Sequence, residues 1–138
     1  MICSLDTNIF VYCIDAKDSK KHQAALALLA RAIDANWPVA AHVYGEFYAV
    51  ATRKGLASRA GAFEMIETWQ ALLTPLPSSV HAHAAALKLA TTKQVQYWDA
   101  LIIAICAENG VKKLYSEDAP YAKKLLGVQC LSPFEQRL

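Results

Sequence analysis

The sequence predicts an α/β domain in which a central parallel sheet of four to five strands lies between two layers of helices. Short apolar runs alternate along the chain with longer stretches whose apolar residues recur at helical period. The short runs are continuously apolar, which is typical of strands that are covered on both faces. Helices separate these strands, and crossover helices join neighbouring parallel strands in such sheets. Together these features favour a three-layer α/β/α sandwich.

Helices are predicted where Ala, Leu and other strong helix formers recur at helical period between polar ends. Capping residues indicate several boundaries: Gly55 and Gly110 close two helices, and Ser58 and Ser79 can cap the starts of two others. In chain order the predicted helices cover residues 9–14, 20–36, 42–54, 59–73, 81–92, 98–109 and 119–126.

Strands are predicted at the short apolar runs between these helices. The second strand begins after the break at Trp37 and Pro38, and the third is the weakest. In chain order the predicted strands cover residues 1–5, 38–41, 74–77, 113–115 and 127–131. Ligands of such sheets bind beyond the carboxyl ends of the strands, so residues that follow a strand are the first candidates for function.

Length and composition fit one domain with a protein partner. The chain has 138 residues, and domains most often contain about 100–150, so we expect residues 1–138 to form a single domain. The composition is 55% hydrophobic and 19% charged, against a usual charged share of about 25%. This surplus favours exposed apolar surface, and large exposed apolar patches usually mark interfaces. A net charge of +2 is too balanced to indicate nucleic-acid binding by itself.

The cysteines and the N-terminus indicate a cytoplasmic protein. Cys3, Cys13, Cys106 and Cys130 show no C-x-x-C spacing and lie mostly in apolar runs, so we expect buried free thiols. Free thiols are typical of the cytoplasm. The N-terminus lacks the basic region of a signal peptide. The longest apolar run, residues 100–107, is much shorter than the roughly 20 residues that a membrane span needs.

Several acidic residues lie where the predicted sheet would bring them together. Asp6 comes directly after the first strand, and Glu117 and Asp118 follow the fourth, so both positions belong to the same edge of the sheet. Asp99 lies in the first turn of the helix that leads into the fourth strand, and Glu46 lies one turn into the helix after the second. We expect Glu117 to face solvent. The acids expected to converge at one edge are Asp6, Glu46, Asp99 and Asp118.

Each of these acids also has a purely structural interpretation. Asp99 could stabilise the positive end of a helix dipole, Asp118 or Asn8 could be an N-cap, and Glu46 could extend to solvent. Asp6 and Glu46 nevertheless have apolar neighbours, and a buried carboxylate is unfavourable unless it is paired or bound to a metal. Clustered carboxylates repel one another unless a cation neutralises them. Oxygen ligands without Cys or His favour Mg²⁺, with Mn²⁺ as an alternative.

A cluster of acids that holds Mg²⁺ is typical of phosphate chemistry. The ion lowers the pKa of a bound water, which becomes a nucleophile, and it stabilises the negative charge of the transition state. Thr7, Asn8 and Ser116 lie beside the acids in the sequence. Their side chains can orient the carboxylates, position the water or contact a phosphate oxygen.

Four stretches of the sequence resemble PIN-domain ribonucleases, and more narrowly the VapC-type toxins of bacterial toxin–antitoxin pairs. The most specific is QYWDALIIAICAENGVKKLYSED, which is similar to the family's aromatic-Trp-Asp-Ala-Leu helix and the strand that follows it. LDTNIFVY, YGEF and VQCLSPF resemble the family's first strand, third helix and last strand. The resemblance covers essentially the whole chain. It implies metal-binding or catalytic roles for Asp6, Glu46, Asp99 and Asp118, and supporting polar roles for Asn8 and Ser116.

The sequence departs from the family at two places. After the Ser-Glu-Asp triplet, relatives often continue with Met, His and Gly, whereas this chain has APYAKKLLG. The polar residue often found ahead of the Glu46 helix is represented only by His42. These differences concern the geometry of Asp118 and the choice of substrate, and they leave Asp6, Glu46 and Asp99 unaffected.

The resemblance implies a metal-dependent endoribonuclease that cleaves single-stranded RNA, or exposed loops such as those of tRNA, and leaves a 5′-phosphate. It also implies a homodimer and inhibition by a small VapB-like antitoxin. The helices over residues 20–36 and 59–73 offer an apolar groove for a partner helix, or else ordinary core and dimer contacts. We assign no chemistry to the histidines. Basic residues available for RNA phosphates are Lys17, Lys20, Lys21, Arg53, Lys54, Arg59, Lys123 and Lys124.

Three other functions stand as alternatives. A haloacid-dehalogenase-like phosphatase also has an acid after its first strand, but it needs a second Asp two residues later, where this chain has Asn8. A response-regulator receiver needs a phospho-acceptor Asp after a middle strand and a later Lys, and we find neither in the sequence. A catalytically inactive PIN-like module that only binds RNA or protein would not need all of the acids.

Overall fold

The computed structural model describes residues 2–118 and 124–134, and most of its elements begin and end within about two residues of the predicted boundaries. The strands are β1 (Cys3–Leu5), β2 (Pro38–Ala40), β3 (Thr74–Leu76), β4 (Lys113–Tyr115), β5 (Lys124–Leu125) and β6 (Val128–Leu131). The helices are α1 (Thr7–Ile14), α2 (Ser19–Ala35), α3 (Ala41–Arg53), α4 (Arg59–Leu72), α5 (Val80–Lys93) and α6 (Tyr97–Glu108).

The predicted central parallel sheet is confirmed. Its four strands lie in the order β1-β4-β6-β5, with β1, β4 and β6 parallel and β5 antiparallel at the edge. β2 and β3 pair in parallel as a second sheet. The Ser4 hydroxyl donates a hydrogen bond of 2.6 Å to the Pro38 carbonyl, so β2 lies beside β1 and extends the sheet layer.

The helices pack in two groups around this sheet layer. α1 packs against α2 and α3, and α3 packs against α4. α5 and α6 form the other group, and α6 also contacts β2 and β6. All residues of α6 from Ala100 to Cys106 are buried, so the helix that carries Asp99 is fixed in the hydrophobic core. The arrangement agrees with the predicted α/β/α sandwich.

Local capping explains several helix ends, as the sequence predicts. The Ser58 hydroxyl oxygen accepts a hydrogen bond of 3.0 Å from the Gly61 N–H, and Ser79 accepts one of 3.0 Å from Ala82. Each bond satisfies a backbone donor that the first turn of a helix leaves without a partner. Gly55, with a φ of 69°, reverses the chain just after α3.

The predicted helix over residues 119–126 is wrong where the structure describes it. Lys124–Leu125 form β5, and residues 119–123 lie outside the described residues. Leu126 and Gly127, which join β5 to β6, have φ values of 51° and 80°. Two consecutive residues with positive φ form the tight turn that connects antiparallel strands, and this turn overrides the helix propensity of the neighbouring Lys and Leu residues.

The buried face of α4 also differs from the prediction. In the sequence of the helix predicted over residues 59–73, the helical period predicts one common face for Phe63, Ile66, Trp69, Gln70 and Leu73. Ile66, Trp69 and Leu73 are buried, but Phe63 is 57% exposed and Gln70 is exposed as well. Ala62 takes the core position one turn before Ile66, which leaves a large aromatic side chain on the surface.

The cysteines behave as predicted: Cys3, Cys13, Cys106 and Cys130 are all buried, and none of them forms a disulfide. Burial raises the pKa of the Cys106 and Cys130 thiols to about 12, so both stay protonated and unreactive near neutral pH. Within residues 2–118 and 124–134, none of the helices has the length and apolar character that crossing a membrane requires.

Candidate active site

Asp6 lies where β1 and β4 end side by side. The parallel register pairs Leu5 with Tyr115, and the Asp6 N–H donates to the Tyr115 carbonyl at 3.0 Å. Asp6 is also the N-cap of α1, and its Oδ1 accepts a hydrogen bond of 2.7 Å from the Thr7 N–H. Its Oδ2 accepts one of 2.8 Å from the Ser116 hydroxyl. Both carboxylate oxygens are therefore held in place, on a residue that is only 9% exposed.

Asn8 connects α1 to the turn after β4, and it does not cap the helix. Its side-chain oxygen accepts from the Glu117 N–H at 3.2 Å, and its Nδ2 donates to Asp118 Oδ2 at 3.3 Å. The Ser116 hydroxyl oxygen accepts from the Asp118 N–H at 3.2 Å. Asn8 and Ser116 therefore fix the position of Asp118 relative to Asp6.

The prediction that Glu117 faces solvent is wrong, because its partly exposed carboxylate is paired with other side chains. Its Oε1 accepts a hydrogen bond of 2.8 Å from the Tyr12 hydroxyl, and its Oε2 forms an ion pair of 2.6 Å with Lys21 Nζ. Because α1 supplies Tyr12 and α2 supplies Lys21, two helices hold the turn after β4. Lys21 offsets the charge of Glu117, whereas Asp118 has no ion-pair partner among the described residues.

The acids predicted to converge line one cavity of about 400 Å³. Asp6 and Asp118 come from the sheet edge, Glu46 from α3 and Asp99 from the first turn of α6. Thr7 and Asn8 line the same cavity. Ser116, which is 1% exposed, lies behind Asp6 and supports it from the protein interior.

Burial and mutual repulsion raise the pKa values of these acids. Burial contributes most to the pKa of Asp99, which the charges of Asp6, Asp118 and Glu46 raise further, to about 6. The pKa of Glu46 is raised by burial and by the Asp6 charge, while the nearby Thr7 hydroxyl opposes the rise. Burial also raises the pKa of Asp6, against the opposing hydrogen bonds from Ser116 and Thr7. The protein therefore places negative charges together at an energetic disadvantage.

The sequence profile of a family described as the PIN domain matches residues 3–124. The chain belongs to the PIN domain family. No curated protein sequence matches the chain. The site described above therefore lies within the matched part of a PIN domain, at the edge of its parallel sheet.

Solved structures share the fold of this PIN domain at low sequence identity. VapC20 from Mycobacterium tuberculosis, described as a toxin that cleaves the sarcin–ricin loop, matches with a TM-score of 0.67 and 15% identity over 84% of this chain and 89% of that chain. A toxin–antitoxin complex from Klebsiella pneumoniae matches with a TM-score of 0.65 and 14% identity over 97% and 99% of the two chains. VapBC-1 from nontypeable Haemophilus influenzae gives a TM-score of 0.67 and 18% identity over 98% and 100%.

The donor set of this PIN domain fits a hard divalent cation. The ion pairs among the described residues are those of Lys21 with Glu117 and of His42 with Glu46, so no described Lys or Arg offsets Asp6, Asp99 or Asp118. The hydroxyl of Thr7 is buried beside the acids without a regular hydrogen bond. In the described ranges, no three acidic, histidine or cysteine side chains approach as closely as a completed metal site requires. The cavity thus supplies oxygen atoms and excess negative charge that a bound cation could draw together.

Sequence reasoning missed the position of His42. Its Nε2 lies 3.5 Å from Glu46 Oε1, one helical turn away on α3. Burial lowers the pKa of His42, although the Asp6 charge opposes this effect. The spacing of four residues within one helix was the signal that could have placed His42 beside Glu46.

The lining of the cavity also contains cationic and aromatic side chains that the sequence did not single out as a group. Arg53 and Lys54, at the end of α3, line the cavity together with Trp98. Trp98 directly precedes Asp99, which is the only sequence signal for its position. The lining of the cavity therefore combines acids with two basic side chains and the aromatic ring of Trp98.

Proposed function

We propose that this PIN domain is a VapC-type toxin, a metal-dependent endoribonuclease that cleaves single-stranded RNA or exposed loops of structured RNA such as tRNA. The observation that carries the proposal is the convergence of Asp6, Glu46, Asp99 and Asp118 on one cavity. Their charges lack Lys or Arg partners among the described residues. Such a site is suited to a divalent cation and a phosphodiester, since the cation offsets the acids and attracts the phosphate.

Mg²⁺, or Mn²⁺ in its place, would be held by Asp6, Glu46, Asp99 and Asp118. When bound, the ion supplies positive charge for the phosphate and lowers the pKa of a water molecule. The chain's own residues supply the geometry: Ser116 and the Thr7 N–H fix both oxygens of Asp6. Asn8 fixes Asp118 on the same side. This rigidity matters because catalytic carboxylates must keep their positions while the reacting phosphate changes shape.

The partners that we propose are a cognate VapB-like antitoxin and a second copy of the chain. We also propose that the 138 residues form a single domain and that the protein acts in the cytoplasm. Two observations support a protein partner. Phe63 and Leu72 on α4, and Leu26 on α2, are large apolar side chains exposed to solvent. A complex of toxin and antitoxin from Klebsiella pneumoniae also shares the fold.

The proposal is tested with the purified chain, free of any partner. Labelled tRNA and single-stranded RNA are incubated with the protein in Mg²⁺, in Mn²⁺ and in excess EDTA. We expect cleavage in the divalent ions and none in EDTA. Asp6→Asn and Asp99→Asn should each reduce the rate by at least about 100-fold, because each removes a charged ligand. Asp34→Asn, the same change at an exposed position on α2, is the matched control and should retain full activity.

Other outcomes identify the alternatives. RNA binding without cleavage in either ion would mean a catalytically inactive PIN-like module. Hydrolysis of a small phosphate monoester, with RNA left intact, would indicate a phosphatase-like enzyme. Cleavage that survives Asp6→Asn unchanged would show that the proposed site is not the catalytic one.

A further inference from the structure

Trp98 differs from the other tryptophans of the chain in being on the surface. Its side chain is 56% exposed, whereas Trp37 and Trp69 are 6% and 8% exposed and belong to the core. Trp98 lines the cavity of the acids and directly precedes Asp99. Exposure of an indole ring to water is unfavourable. A function of Trp98 should therefore account for its exposed position beside the acids.

The Trp98 ring is held in place from one side. The Tyr97 ring packs against it in a T-shaped geometry, with centroids 5.1 Å apart and planes at 75°. The Tyr97 hydroxyl lies 2.8 Å from Nδ1 of His83 on α5. Tyr97 is partly buried against the core. Because its neighbour is anchored in this way, Trp98 loses little conformational freedom when it binds a planar ligand.

The charges around the cavity show why a non-ionic contact would be useful there. The lining acids outnumber the bases, which are Arg53 and Lys54. A polyanionic strand is therefore attracted only by these two bases and by a cation that the acids hold. Proteins that bind single strands combine such basic groups with aromatic rings, because stacking on a base is not weakened by negative charge nearby.

A second cavity continues from the first. It has a volume of about 630 Å³, shares Asp99 and Asp118 with the first cavity, and adds Lys93 and Lys124. Basic residues thus lie on both sides of the acids, as a strand that passes across the site requires.

On the basis of the proposed function, we infer that Trp98 is a stacking platform for a nucleobase of single-stranded RNA, next to the phosphate that the acids hold. Arg53 and Lys54 contact phosphates of the same strand. The platform binds any of the bases, since every base has a flat π-face. Trp98 is therefore a substrate-binding residue and takes no part in the chemical step.

The main test measures the affinity for a fluorescent single-stranded oligoribonucleotide by anisotropy, in Ca²⁺ to neutralise the acids. The variants are Trp98→Leu, which keeps an apolar side chain without a ring, and Trp98→Phe, which keeps a smaller ring. We expect Trp98→Leu to weaken binding by about 5- to 100-fold and Trp98→Phe by less. In Mg²⁺, Trp98→Leu should raise KM for cleavage by a similar factor and change kcat much less.

An oligomer of the same length with abasic sugars is the matched control ligand. Trp98→Leu should leave its affinity unchanged, because no base is present to stack. An equal loss for both oligomers, or no loss for either, would overturn the inference.

The salt dependence separates stacking from charge. Trp98→Leu should lower the affinity by the same factor at every salt concentration, whereas Arg53→Gln should reduce the slope of log K against log[salt] by about one. A changed slope in Trp98→Leu would mean that the ring acts through the basic residues and would contradict stacking.

The remaining outcomes distinguish this inference from the proposed function. If RNA cleavage depends on metal and on Asp6 but not on Trp98, the platform is wrong and the nuclease stands. If base-dependent binding requires Trp98 but no metal supports cleavage, the platform stands and the proposed activity fails. If Trp98→Leu leaves RNA affinity intact and changes the oligomeric state in size-exclusion chromatography, Trp98 is a protein contact and the inference is overturned.

Discussion

The two sides of the acidic cavity are built differently. On the side of the sheet edge, Asp6 accepts two hydrogen bonds, and Asp118 is held by Asn8 and by Ser116. On the helical side, Asp99 makes no hydrogen bond within the described residues, and Glu46 has His42 at 3.5 Å and the Thr7 hydroxyl nearby. The first side is fixed by the protein itself. The second side carries charge that no described Lys or Arg balances.

The electrostatics agree with this difference. Hydrogen bonds from Ser116 and Thr7 oppose the rise in the pKa of Asp6. Asp99 lies in the first turn of α6, where the helix dipole favours a negative charge, yet burial and three neighbouring acids raise its pKa to about 6. Burial and repulsion together therefore outweigh the dipole at Asp99. The sheet edge therefore fixes the positions of its acids, and the helical side adds negative charge that a bound cation would offset.

The largest effect after loss of an acid itself is expected from Ser116→Ala, on the sheet-edge side. The substitution removes the hydroxyl that donates to Asp6 Oδ2 and accepts from the Asp118 N–H. We expect RNA cleavage to fall by about 10- to 100-fold, as is usual when a partner of a metal ligand is lost. The measurement is kcat/KM in Mg²⁺. Ser78→Ala, at an exposed position, is the control, and full activity in Ser116→Ala would show that the hydroxyl does not organise this side.

The next effect concerns the helical side and is measured as thermal stabilisation by Mg²⁺. A ligand present at about 100 times its Kd stabilises a protein by roughly 2.7 kcal/mol, which raises the Tm of a domain of this size by about 5–15 °C. We expect Asp99→Asn to lose most of this rise, because its unbalanced charge is what attracts the ion. Asp34→Asn should keep it. An undiminished rise in Asp99→Asn would mean that the ion binds elsewhere.

A site residue can be predicted from the sequence when the strand or helix next to it in the chain determines its position. Asp6 and Asp99 are such residues, since one comes directly after a strand and the other begins a helix. The parallel sheet then brings the two positions to one edge. The partners of Glu117 could not be predicted in this way, because Tyr12 and Lys21 reach it from two separate helices.

The same distinction applies to the fold. Helix ends capped by Ser58 and Ser79 could be read from the sequence, because the interaction spans only three residues. β5 could not, since its Lys and Leu residues favour a helix and only pairing with β6 makes them a strand. Trp98 and Arg53 come together only in the folded chain, and their shared cavity has no sequence pattern of its own.

A smaller effect is the pH dependence of stability in the metal-free protein. The folded state holds the Asp99 proton more tightly than the unfolded chain, whose Asp pKa is 3.8. The contribution of Asp99 to stability is therefore fully present below pH 3.8 and is lost as the pH rises through about 6. Asp6 and Glu46 act in the same direction. In EDTA, we expect Asp99→Asn to have a Tm closer to that of the wild type at pH 4 and higher by about 2–6 °C at pH 7. A higher wild-type Tm at pH 7 would contradict the repulsion on the helical side.

The smallest effect is expected from Glu117→Gln. Glu117 lines the same cavity as the four converging acids, but Lys21 offsets its charge. The amide can still accept from the Tyr12 hydroxyl, so the turn after β4 should stay in place while the ion pair with Lys21 is lost. Partly exposed ion pairs contribute little to stability, so the Tm should change little. Cleavage should fall by less than about tenfold, because Asn8 and Ser116 still hold Asp118. Glu117→Ala, which also removes the acceptor for Tyr12, should be the more damaging of the two. If Glu117→Gln instead matched Ser116→Ala, the organisation of the sheet edge would depend on the charge of Glu117 and not on the hydrogen bonds around Asp6.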